Sequence, residues 1–202
     1  MEAEVPLVAG SLYGLRTWRV VGDGDREQLA APLRGTEWPA GEGWVKARCE
    51  HGHRAPALGC RCGIHAWHPR RRAARRVLAG RFELPGIVEA QGAVEVHVDG
   101  FRAERARPFA FIRLPNRNPY LIDRLGDAYG AEVVVLRRMG ELLELCRERG
   151  LGLDEPVVEE LLGPDAIQEH RRAVARTRRT DALRAAAALA ICATGIAVAH
   201  LT

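Results

Sequence analysis

Apolar and polar residues alternate in short runs along the first half of the chain and change to a three-to-four-residue spacing beyond residue 118. Residues 12–21 and 43–47 carry the alternation of half-buried strands, punctuated by Gly, Asp and Pro at turn positions. Trp18, Trp38, Trp44 and Trp67 all fall in this part and read as packing residues of a small sheet. Two further strands are predicted over 86–98 and 107–114, joined through Asp99, Gly100, Phe101 and Arg102. The Asp-Gly pair is a hairpin signal, because both residues accept the left-handed backbone that tight turns require. Residues 69–78 set arginines into an Ala-rich stretch, which predicts a short exposed helix.

The period changes at Asn118-Pro119, an N-cap residue followed by proline at the first helical position. Tyr120, Leu121, Leu125 and Ala128 recur at helical spacing until Gly130 stops them. Residues 131–136 are β-branched and predict a strand, and Met139, Leu142, Leu143, Leu145 and Cys146 mark a helix that ends at Gly150. A last short helix is expected over 155–162, closed by Gly163-Pro164. The fold class that follows is α+β. A β-rich domain with a zinc-knuckle-like Cys/His loop occupies 1–115, and a small α/β segment over 116–164 packs on it. A basic linker or helix spans 165–184, and an apolar tail helix spans 185–202.

Chemistry-bearing residues concentrate in one place. Three of the five cysteines and four of the seven histidines lie between Cys49 and His68. An odd cysteine count with such crowding is not a disulfide framework, and in a reducing compartment it favours metal or thiol chemistry. Cys49, His53, Cys60 and Cys62 form the expected metal quartet, with Zn2+ as the ion, because thiolates and imidazoles supply the tetrahedral set that zinc takes. Cys49 is expected at the end of a strand, Pro56 and Gly59 turn the chain back, and Cys60 and Cys62 are expected to begin the next strand. His51, His65 and His68 are substitutes. Competing with a structural zinc are an inert set of reduced cysteines and thiol chemistry at a Cys60/Cys62 pair or a nucleophile beside His53. His97, Asp99 and Glu104 are the nearest acid/base grouping, and they read first as a polar contact at a hairpin.

The order Cys49, then His53 to Pro56, then Cys60 to Ala66, followed by Gly92 to Glu104, resembles a group of small bacterial proteins with no established activity. Their motif reads roughly C…HxAP…CxCGI[YH]A followed by WGxVxxHxxGYRAE. The resemblance covers about residues 11–136 and implies a domain type without a reaction. Gln91 stands where the pattern has tryptophan, and His65 where tyrosine is commoner.

Charge changes this picture little. The formal net charge of +4 comes from two arginine clusters, Arg70 to Arg76 and Arg171 to Arg184, in a chain whose acidic residues nearly balance the basic ones. The first cluster reads as a solvated face, which places nucleic-acid binding behind the other functions. Residues 185–201 are apolar and follow the second cluster, as a membrane anchor or a helix packed on protein would. The acidic start of the chain carries no signal-peptide pattern, so the main domain is expected in the cytoplasm, anchored to the inner membrane if the tail spans it. The function expected is a non-enzymatic, zinc-stabilised binding or adaptor module for a protein partner. The alternatives are a Cys/His metal- or thiol-dependent enzyme and, third, a basic nucleic-acid binder.

Overall fold

The computed structural model describes residues 7–33, 36–41, 43–80 and 83–199, and it shows a mixed α+β chain built on a β-rich sheet. Its compact units are residues 1–158 and 159–202. In the first unit the strands are β1 (Leu7–Val21), β2 (Gln28–Ala30), β3 (Glu37–Trp38), β4 (Val45–Lys46), β5 (Ile64–Trp67), β6 (Glu83–Val96), β7 (Gly100–Arg113) and β8 (Glu132–Val135). The helices are α1 (Arg71–Ala79), α2 (Pro119–Tyr129) and α3 (Met139–Glu148).

Antiparallel pairings run from β1 to β6, β6 to β7, β7 to β5 and β5 back to β1, so the long strands close into a small ring. The β5–β1 contact is a single register pair, Leu15 with Trp67. Where the two strands part, the buried Arg16 guanidinium donates to the His65 carbonyl and lies 4.9 Å from the centre of the Trp38 ring. β8 pairs with β7 in parallel, which a tight turn cannot achieve, and α2 supplies the crossover.

Period-two alternation divides the core between the two faces of the strands. Leu12, Trp18, Val88, Val94, Phe101 and Phe111 point to one side, where Trp38 meets Trp18 edge-on at 5.5 Å. Tyr129 ties α2 to this cluster by donating its hydroxyl to the Trp38 carbonyl and accepting the Leu29 N–H at 2.8 Å. Leu15, Ile87, Ala110 and Ile112 point the other way, against Ala74 and Val77 of α1 and Leu142 and Cys146 of α3. The expected exposed helix over 69–78 is therefore amphipathic: its arginines at 71, 72, 75 and 76 are exposed, while Ala73, Ala74 and Val77 are buried.

The hairpin forms at Asp99-Gly100, but the second strand starts at Gly100, seven residues before the predicted 107. Phe101, Ala103 and Ala106 join the core there with Arg102 and Arg105 set between them, and the three-residue step from 103 to 106 interrupts strict alternation. A bulge between Gln91 and Val94 bends β6, with Gly92 at φ +85°. The Ala93 N–H there donates to the Glu104 carboxylate at 3.1 Å. Asn118 caps α2 by accepting the Tyr120 and Leu121 N–H groups, and Gly130 ends it in the left-handed region, as its spacing predicts.

The stretch Glu155–Ala199, α4, is two helices that meet at a kink: Gly163, at φ +77°, ends the first as Gly163-Pro164 predicts, and a second follows it. The side chains of residues 183–199, which hold the expected apolar tail, lie outside the described residues, as do 200–202 altogether. Among the described residues no helix is long and apolar enough to cross a membrane.

Candidate metal centre

The segment between β4 and β5 is the Cys/His loop, and three ties hold it to the ring. The Ala47 N–H continues the ladder to the Glu104 carbonyl at 2.7 Å. The Arg54 side chain donates to the Glu104 carboxylate at 2.8 Å, which helps hold that carboxyl below its ordinary range. Arg102, 6% exposed, donates to the carbonyls of both Cys60 and Cys62, the latter at 3.0 Å. The same guanidinium pairs with Glu95 and donates its Nε–H to His97 Nε2 at 3.2 Å. Ala55 and Pro56, joined by a cis peptide bond, are buried at the base of the loop.

Two tight turns bring the donors together. The Gly52 N–H bonds to the Cys49 carbonyl at 3.1 Å, and the Cys60 N–H bonds to the Ala57 carbonyl at the same distance. Cys49 Sγ then lies 3.5 Å from His51 Nδ1, 3.2 Å from His53 Nε2 and 3.7 Å from Cys60 Sγ. Cys60 Sγ lies 3.9 Å from His51 Nδ1. Cys49, His51, His53 and Cys60 could hold a metal ion, their donor atoms all lying within 4.8 Å of one another.

Of the residues expected from the sequence, Cys49, His53 and Cys60 are in this group, joined by His51, which stood among the substitutes. Cys62 lies beside it, its Sγ 3.8 Å from His53 Nδ1. Cys60 and Cys62 sit in the turn before β5, not on the strand, and Cys49 lies past the end of β4. His65 and His68 have partners elsewhere, at the Arg61 carbonyl (3.2 Å) and the His97 carbonyl (3.0 Å). His97 and Glu104 divide between Arg102 and Arg54, each at its own tie to the loop.

The electrostatics separate the two neighbouring thiols. The Cys62 backbone N–H, donating to the Cys60 sulfur, brings that thiol down to about 6 against desolvation, helped by the Cys62, Cys49 and His53 side chains. Burial pushes Cys62 the other way, with the nearby Cys60 and Cys49 sulfurs adding to it. The His51 backbone N–H donates to Cys49 Sγ at 3.4 Å. The Nδ1 of His53 lies 3.2 Å from the Arg54 carbonyl, a partner that holds the proton on Nδ1 and leaves Nε2 as the donor atom. A cavity of about 260 Å³ opens on the cluster and is lined by Cys49, His51, Cys60, Arg61 and Cys62 among others.

No protein-family model, curated protein or solved structure matches this chain. Arg102 and Glu104, which fasten the loop, were not legible as anchors; the one available signal was their i, i+2 spacing on a strand, which puts both on the same face.

Proposed function

We infer that the chain is a zinc-stapled β-ring module that binds a protein partner and performs no catalysis of its own. The observation that supports this is the spacing of the four donors. Zn–S bonds of about 2.3 Å and Zn–N bonds of about 2.0–2.1 Å define a tetrahedron with edges of roughly 3.8 Å between sulfurs and 3.5 Å between sulfur and nitrogen. The sulfur pair stands at 3.7 Å and three of the four sulfur–nitrogen pairs at 3.2, 3.5 and 3.9 Å. Four protein donors fill a tetrahedral ion and leave no position for a reacting water, which is the coordination of a structural site. Binding energy at such a site is also folding energy, and it acts here on a loop of turns with little core of its own.

Metal analysis and X-ray absorption of the purified chain test the reading. One zinc per chain with two sulfur and two nitrogen neighbours is expected, and Cys60→Ser should lose the metal while Cys62→Ser keeps it. If Cys62→Ser also loses it, the ligands are instead Cys49, His53, Cys60 and Cys62. The cavity that opens on Cys49, His51 and Cys60 favours a second reading, a metal-dependent enzyme with one exchangeable position. Three protein ligands plus an oxygen in the same spectrum would put that reading first.

A further inference from the structure

The Cys49 and Cys60 sulfurs are 3.7 Å apart, half-buried, and both line the cavity that opens at the loop. The turns that carry them contain Gly52 at φ +79° and Gly59 at φ +77°, and a Cβ at either glycine would meet nothing within 4 Å. The loop is open around both glycines, while the Arg102 guanidinium holds the Cys60 carbonyl. Cys62 is placed differently, 8% exposed, and Cys146 is buried in the core at 1%. A disulfide has an S–S length near 2.05 Å, so closing the Cys49–Cys60 pair needs an approach of about 1.7 Å.

We propose that Cys49 and Cys60 are a hydroperoxide-oxidised dithiol whose closure to a disulfide expels the metal ion, a proposal that rests on the zinc reading of the same loop. The thiolate of one cysteine of the pair attacks one oxygen of the peroxide, breaking the O–O bond and giving a sulfenic acid and hydroxide. The sulfur of the other then attacks the sulfenic sulfur, forming the S–S bond and releasing the second oxygen as hydroxide, which leaves as water once protonated. Two thiols lose two electrons and two protons, and one hydrogen peroxide becomes two waters. A disulfide sulfur carries no thiolate charge, so two of the four donors are lost together and the ion leaves. Thiol exchange with a small dithiol reverses the step by the mixed-disulfide route.

The test uses the full chain, reduced and loaded with zinc, and titrates it with hydrogen peroxide. A chromogenic chelator reads zinc release, and peptide mass mapping under non-reducing conditions reads the crosslink. One zinc released per Cys49–Cys60 link, reversed by dithiothreitol, is the expected result. Cys62→Ser should form the same link. Cys49→Ser should stop at a sulfenic acid on Cys60 that dimedone traps, a readout independent of metal. A link from Cys60 to Cys62, or zinc release without any link, overturns the proposal and leaves the zinc reading standing. Reduced protein that binds no zinc removes the zinc reading and with it the metal-release half of this proposal.

Discussion

Replacing Arg102 by alanine should destabilise the protein and weaken its hold on metal together, because one guanidinium serves both the ring and the loop. Its side chain is 7% exposed and pairs with Glu95, itself 16% exposed, while its remaining donors meet the Cys60 and Cys62 carbonyls and His97. Alanine leaves a largely buried carboxylate without its cation and two carbonyls without donors. Breaking a buried pair by removing one partner costs about 3–5 kcal/mol, more than a surface bridge would. For a chain of this size that corresponds to a fall in melting temperature of roughly 6–20 °C. Loss of the tie to the Cys60–Cys62 turn should also lower zinc affinity by about 10–100-fold, the usual effect of removing a group that orients metal ligands.

Lysine at the same position separates charge from geometry. Its ammonium can neutralise Glu95 but cannot reach two carbonyls and a carboxylate with a planar fork, so Arg102→Lys should recover part of the stability and little of the metal affinity. Thermal melts followed by circular dichroism and a chelator competition read the two quantities. A variant Arg102→Ala that melts within about 1 kcal/mol of the parent, the range of an exposed pair, and competes equally for zinc would refute the reasoning.

Gly92→Ala should cost about 1–3 kcal/mol in urea denaturation, since a Cβ there meets the Glu104 carboxylate at 2.5 Å on a backbone held at φ +85°. Gly130→Ala, at φ +60° with nothing near its Cβ, carries only the backbone strain and should lose less; equal losses would remove the Glu104 contact from the explanation. Stability should also fall as pH drops below about 6.5. Burial holds His68 neutral in the folded state against the pull of the His97 carbonyl, so the unfolded chain takes up a proton that the folded one refuses until its own lowered pKa is reached. That slope, up to about 1.4 kcal/mol per pH unit for one group, should shrink in His68→Gln, and an unchanged urea midpoint profile from pH 8 to 5 would count against it.

Local signals carried much of the fold. Asn118-Pro119 and Gly130 bracket α2 because a cap and a left-handed stop act within one turn, and Asp99-Gly100 forms the hairpin for the same reason. Ring closure was not legible, since it depends on β5 reaching β1 at one pair and β7 at four, and no local pattern encodes partners 33 or more residues apart. The extent of β7 was missed where arginines at 102, 105 and 107 lie among the buried Phe101, Ala103 and Ala106, whose spacing is not strictly period two. Each of these arginines has a partner on the sheet: Arg102 at Glu95, Arg105 at Gln91 and Arg107 at Glu89. They are strand residues whose donors are met across the strand pair, while sequence reading takes polar runs for loops.

The candidate site shows the same division between local and distant information. Crowding of Cys49, His51, His53, Cys60 and Cys62 is visible in one short stretch, because turn residues and donors lie side by side in the chain. Which donors converge is decided elsewhere. Arg102 takes the carbonyls on both sides of Arg61 and so holds the turn that carries Cys60, while Glu104 takes Arg54 next to His53. Both anchors come from the second of the two short motifs, and both act on residues of the first. The motifs therefore meet as a loop and its clamp, with the Glu104 carboxylate also filling the Ala93 N–H that the β6 bulge takes out of the ladder. A bulge, a carboxylate and an arginine are each unremarkable in sequence. Together they connect the bend of the ring to the donor spacing of the loop, so a change at Gly92 should reach the metal centre through Glu104 and Arg54 without touching a ligand.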